Sequence, residues 1–251
     1  MVLLMAPLSA SAGTVAVQQQ EGLVHGFLAL SSVDGKTIAD GSLVQTARGA
    51  RVTSRLSSRF RDGSSYDETT VYTQDERFRL VSNRSVQKGP SFPRALESTI
   101  DIKSGRVKVS YTEDGEDTTI EETMALPDDL ANGLILTLLK NVSPEAPKTV
   151  VSMLAITPKP RLVHLEFTPD GREPFATGGV AREATRFRVK VDIPGLTGVL
   201  ASVLDKTPPD SFVWVLGGET PAFLMSLSPM YVEGPHWRIE LVSPTWPKKS
   251  R

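Results

Sequence analysis

The sequence predicts a mainly β protein, a curved antiparallel sheet or half-open barrel with one buried helix. Three observations predict it. Apolar and polar residues alternate with period two along most of the chain. Asp-Gly and Ser-Gly pairs punctuate the alternating runs. One Leu-rich segment, 127–140, carries a helical stripe instead. The composition fits: 251 residues, 39 % hydrophobic, 28 Lys plus Arg against 29 Asp plus Glu, and no cysteine. That length suits one large β domain or two small ones. The hydrophobic share excludes a disordered chain. Balanced charge argues against a protein built mainly to hold nucleic acid or an anionic membrane. Without cysteine there are no disulfides, thiolate nucleophiles or cysteine-ligated metals.

At the N-terminus, Val2 to Leu8 is apolar and Ala10-Ser11-Ala12 follows. An apolar run ending in small-x-small is the tail of a secretory signal, so residues 1–12 read as a signal-peptide remnant. Export without disulfides points to a bacterial periplasm or exterior. No stretch reaches the roughly 18 apolar residues of a transmembrane helix.

The strands follow in order. Candidate runs lie near 23–30, 37–47, 66–73, 76–83, 96–102, 118–124, 149–157, 161–168, 211–216 and 222–227. Val52, Leu56 and Phe60 share a face opposite Arg51, Arg55 and Arg59. Val107, Val109 and Tyr111 oppose Arg106, Lys108 and Ser110. Arg186 to Ile193 alternates without a break, and so does His236 to Leu241. Asp34-Gly35, Asp62-Gly63, Ser104-Gly105, Asp114-Gly115 and Asp170-Gly171 read as hairpin turns. Pro127-Asp128-Asp129 opens the helical segment and Lys140-Asn141 closes it. Leu130, Leu134, Ile135 and Leu138 form its stripe. A second short helix is expected over 196–204, after Pro194-Gly195. Pro144 and Pro147 mark where two halves of a single β-rich domain, 13–247, meet near 142–148. The tail 248–251 is expected to be disordered.

The common catalytic and cofactor motifs are missing. There is no G-x-S-x-G, no H-E-x-x-H and no G-x-G-x-x-G. No metal site and no cofactor are read from the sequence. Asp34-Gly35-Lys36-Thr37 is a hairpin turn, since Leu30 stands where a phosphate loop needs its first glycine. Of the three histidines, His164 shares a strand face with Leu162 and Glu166. His164 and Glu166 could form an acid–base pair in a cavity, or simply face solvent together. The acidic run Glu113 to Asp117 lacks calcium-loop spacing and reads as a hairpin tip. Arg51, Arg55 and Arg59, with Arg77 and Arg79, could bind an anion. They could equally be a solvated face paired with Asp67 and Glu68.

The signal remnant, the Asp-Gly hairpins, the helix at 127–140 and the closing strand Gly234-Pro235-His236-Trp237-Arg238-Ile239-Glu240-Leu241 together resemble exported bacterial antiparallel-β proteins. At the level of architecture the chain resembles the lipoprotein-carrier class. There a half-open barrel holds helices in its concave face and binds acyl chains. The resemblance implies a lipid or other apolar small molecule as ligand. The residues expected at such a ligand are Leu130, Leu134, Leu138, Trp214 and Trp237. The alternatives are a metal-free cavity enzyme using His164 and Glu166, and an envelope structural or assembly module acting through an exposed sheet edge.

Overall fold

The computed structural model describes residues 12–177, 179–193 and 208–243. The signal remnant before Ala12, the expected helix at 196–204 and the tail 248–251 lie outside them. Successive hairpins place β1 (Val24–Ser32), β2 (Thr37–Arg48), β3 (Arg51–Phe60), β4 (Ser65–Gln74), β5 (Phe78–Lys88), β6 (Leu96–Asp101), β7 (Arg106–Glu113) and β8 (Glu116–Thr123) side by side. A second meander holds β9 (Thr149–Ala155), β10 (Arg161–Thr177), β11 (Val180–Asp192), β12 (Ser211–Leu216), β13 (Ala222–Ser228) and β14 (Trp237–Val242). β14 pairs antiparallel with β1, from Phe27↔Val242 to Ser32↔Trp237. Among the described residues the result is one 14-stranded sheet, with β8 and β9 as its end strands.

Four of the five expected turns join strands, with positive φ at Gly35, Gly63, Gly105 and Gly115. Asp170-Gly171 does not. It lies inside β10, where the register to β11 shifts between Pro169 and Arg172 and Gly171 has φ +118°. A glycine at positive φ serves a bulge as readily as a turn. Here pairing resumes past it, from Arg172↔Thr185 to Thr177↔Val180, so the strand continues.

The sheet curls. One buried cluster unites Leu28, Val52, Tyr72, Leu80, Ile100 and Val109 with Leu154, Phe167, Phe187, Val213 and Phe223. Gly13 bonds β9 while Val15, two residues on, bonds β5. Neighbouring strands stand about 4.8 Å apart, so strands that far separated in the sheet order could not be reached so closely across a flat sheet. Leu130, Leu134, Leu138 and Leu139 belong to the same cluster and fill the concave side. A second cluster, Leu30, Ala39, Phe60, Phe92 and Trp237, lies around the β1–β2 and β3–β4 turns.

The segment 127–140 is not one helix. Only Ile135–Leu139 is helical (α1). Gly133 at φ +70° interrupts the chain before it. A side chain there would run into Thr70 and Asn83, so glycine is demanded by space as well as by φ. The residues before Gly133 serve the sheet instead. Ala131 N–H donates to the Ser152 carbonyl at 2.8 Å, and Ser152 N–H donates to Asp129 Oδ2 at 3.1 Å. Asn132 Nδ2 donates to the Leu154 carbonyl and its Oδ1 accepts from Leu154 N–H, both at 2.9 Å. These bonds cover the outer edge of β9, so helix periodicity yields to backbone satisfaction.

Residues 13–22 strap the two meanders together. Gly13 N–H bonds the Val150 carbonyl on β9, and Phe78 N–H on β5 bonds the Val15 carbonyl. Asn141 Oδ1 accepts from Gln18 and Gln19 N–H at 2.9 and 2.7 Å. Glu21, 7 % exposed at its side chain, pairs with Lys140 Nζ at 2.5 Å and accepts from Gln45 Nε2 at 2.8 Å.

Candidate functional site

Strand parity fixes which side chains enter the concavity. On β3 the buried Val52, Ser58 and Phe60 define the inner face, and Leu56 shares it. Cross-strand partners carry that face across the sheet. One inner row runs Leu43, Leu56, Glu68, Ser85, Ser98 and Val109. The next runs Leu28, Gly41, Ser58, Tyr66, Gln87 and Leu96.

These two rows form a band between the two apolar clusters. Leu43 and Leu56 pack against the larger cluster, and Tyr66 against the smaller. Leu43, Leu56, Tyr66, Glu68 and Ser85 are only half-buried, although they sit in central strands on the inner face. Solvent therefore reaches the concave surface partly at these five positions, while Leu28, Ser58, Gln87, Ser98 and Val109 in the same rows are buried. The band combines two leucines with a carboxyl, a phenol and hydroxyls.

Its polar groups are unevenly satisfied. Asn83 Nδ2 donates to Glu68 Oε1 at 2.9 Å and lies 3.0 Å from Thr70 Oγ1. Ser85 Oγ and Ser98 Oγ are 2.8 Å apart. Burial pushes the Glu68 carboxyl above its usual range, and the Asn83 bond offsets part of that rise. Burial, with Glu68 nearby, holds the Tyr66 phenol well above its ordinary value. Ser58 Oγ is buried with no protein partner. The unpaired hydroxyl can donate to a ligand oxygen, and the carboxyl beside it offers oxygens to a ligand donor. A shifted acid and an unsatisfied buried polar atom each make a surface a candidate functional site.

The five residues expected at a ligand do not converge. Leu130, Leu134 and Leu138 are buried together in the larger cluster. Trp237 lies in the smaller one, its ring 5.1 Å from Phe60 and 6.0 Å from both Phe92 and Tyr231. Trp214 lies between the buried Val213 and Val215, on the outer face. Its Nε1 donates to Glu173 Oε2 at 2.8 Å, and Glu173 also takes Arg186 at 2.7 Å.

The His164–Glu166 pair does not enter the concavity. Val163, Leu165 and Phe167 hold the inner face of β10, which turns His164 and Glu166 outward. His164 Nδ1 lies 3.9 Å from Asp192, and Glu166 pairs with Lys148 at 2.8 Å. Asp67 pairs with Arg59 at 2.8 Å, as a solvated face requires. Glu68 does not join it, because adjacent strand residues face opposite ways. Among the described residues no group of three or more His, Asp or Glu could hold a metal ion. Nor is any helix among them long and apolar enough to cross a membrane.

Sequence reasoning missed Glu68, Tyr66 and Ser58. The one signal for them was parity: Tyr66, Glu68 and Thr70 share a face with Tyr72, which is fully buried. No protein-family model and no curated protein matches the chain. Among solved structures, the chain is similar to a beta-barrel-like protein of domain of unknown function DUF1849 from Brucella abortus, at 9 % identity over 88 % of this chain and 97 % of that one, with a TM-score of 0.46.

Proposed function

We propose that the protein is an exported bacterial binding module that holds an amphiphile against the inner face of β2–β5. The ligand class is an apolar chain with an uncharged, hydrogen-bonding head. One observation carries this reading. In the half-buried inner band, Leu43 and Leu56 lie beside Glu68, Tyr66 and the unpaired Ser58 hydroxyl. Apolar walls with a few convergent polar groups are the usual make-up of a small-molecule site. The raised Glu68 carboxyl favours a neutral head, since an anionic head would meet repulsion once Glu68 ionises. In this reading Leu130, Leu134 and Leu138 close one end of the band and Trp237 the other. Trp214 stays outside it. The apolar run Val2–Leu8 and Ala10-Ser11-Ala12 support export to the periplasm or exterior. Processing after Ala12 leaves the strap that begins at Gly13 intact.

The test is extraction of protein purified after export, with the extract read by mass spectrometry. Neutral acyl-bearing molecules are expected from the wild type. Leu56→Trp, which fills the band, should lose them while keeping its fold by circular dichroism. A wild-type extract that matches the Leu56→Trp extract overturns the reading.

A second reading rests on β8. Among the described residues nothing pairs with its outer edge. An envelope partner could add a strand there. Crosslinking through a cysteine introduced on β8, compared with one on β9, tests it. Equal crosslinking at both strands rules it out.

A further inference from the structure

The outer face offers a second surface, independent of the inner band. Arg55 lies opposite Val44, Thr53 opposite Thr46, and Arg51 opposite Arg48. These six residues line an open depression of about 320 Å³. Like charges directly opposite each other on paired strands are destabilising, so the Arg48–Arg51 pair needs a reason. Five other arginines on or beside the outer face of the first meander are neutralised: Arg59 by Asp67, Arg61 by Asp40, Arg79 by Asp128, Arg84 by Glu97 and Arg106 by Glu121. Arg48, Arg51 and Arg55 form no ion pair among the described residues. An apolar strip adjoins them on that face. Phe27 is 47 % exposed and Leu23 82 %, with Val44 and Val242 close to 40 %. Phe27 sits directly opposite Val242, and Val44 pairs with His25, whose ring is 4.9 Å from the Phe27 ring.

We propose that the outer face of β1–β3 docks on an anionic bilayer surface. Arg48, Arg51 and Arg55 take lipid phosphates, and Leu23, Phe27, Val44 and Val242 enter the boundary between headgroups and acyl chains. The charge pattern selects this occupant. Unneutralised guanidinium groups suit phosphates, and flanking apolar side chains suit a lipid interface. A free anion would use the arginines and leave the apolar strip without a role.

The test is co-sedimentation of the full chain with two vesicles. One is phosphatidylcholine alone, and the other contains about 30 % phosphatidylglycerol. The apolar N-terminal run can bind both alike, so the difference between them isolates the arginines. Tighter binding to the phosphatidylglycerol vesicle is expected, weakening as salt rises. Arg51→Ala/Arg55→Ala should remove about 25-fold of that preference, at about fivefold per arginine. Both residues are exposed on the sheet surface, and an unchanged thermal unfolding curve confirms the fold. Phe27→Ser should weaken binding to the anionic vesicle without changing its salt dependence. Equal binding to both vesicles overturns the proposal. So does a preference that survives the double substitution. Binding of inorganic phosphate or heparin without any vesicle preference also overturns it, and assigns the patch to a free anion or to an acidic macromolecule.

Discussion

The strands β1–β8 and β9–β14 are both antiparallel meanders, yet they finish their inner faces and outer edges in opposite ways. In the second meander the inner face is mostly apolar: Leu165, Phe167, Phe187, Val189, Val213 and Val215 are all buried there, with Thr185 and Ser226 as buried hydroxyls among them. Its last edge, on β9, is bonded by Asp129, Ala131, Asn132 and Gly13. In the first meander the inner face carries Gln45, Ser58, Glu68, Thr70, Asn83 and Ser98 among its apolar residues. Its last edge, on β8, is guarded only by Glu116, Asp117, Glu121 and Glu122. Charges on an edge strand deter pairing without satisfying the backbone. The difference separates a half built for packing from one that keeps polar groups on its inner face, at a cost in stability, where the proposed ligand would lie.

The strongest test of this division is the clasp between the meanders. Lys140→Met leaves Glu21 buried without its counter-charge and should cost about 3–5 kcal/mol in urea unfolding. Next comes the covered edge. Asn132→Ala strips the partners from both backbone groups of Leu154 and should cost about 2–4 kcal/mol. The same truncation at Thr119 on β8, where the side chain is exposed, should cost less than about 0.5 kcal/mol. Equal losses at the two edges would break the comparison.

Glu68 gives a pH signature of smaller size. Its carboxyl is raised in the folded state, so the fold binds a proton more tightly than the unfolded chain does. This contribution is fully present below the usual glutamate range and is lost as pH rises through the folded value. The slope is at most about 1.4 kcal/mol per pH unit for one group. Glu68→Gln should flatten that part of the stability profile. A wild-type profile that instead rises over the same range, with no difference in the variant, would remove the inner acid from the account. The smallest effect concerns β8. Glu121→Val/Asp117→Val should leave unfolding within about 0.5 kcal/mol but raise self-association in sedimentation velocity. Unchanged sedimentation would mean the acidic edge is not protective.

The strands were legible because burial on one face imposes period two, and Asp-Gly or Ser-Gly turns bound many of them. The helix was overread for a physical reason. Leu130, Leu134 and Leu138 are all buried, as a stripe requires, but Gly133 and the side chains of Asp129 and Asn132 decide the backbone between them. A hydropathy pattern records burial and not the hydrogen bonds that an edge strand demands. The inner band was harder to read. β4 is polar on both faces, with Asp67 and Thr69 outside and Glu68 and Thr70 inside. Alternation loses contrast in such a strand; parity with Tyr72 is its one sequence signal, and its register with Leu43 and Leu56 places Glu68 in the concavity.

The most direct test of the central claim is a titration of the isotope-labelled protein with a monoacylglycerol, followed by amide chemical shifts. Binding at the band predicts saturable shifts at Leu43, Leu56, Glu68 and Ser85, absent in Leu56→Trp. Shifts confined to the outer face, or none at saturation, would contradict it.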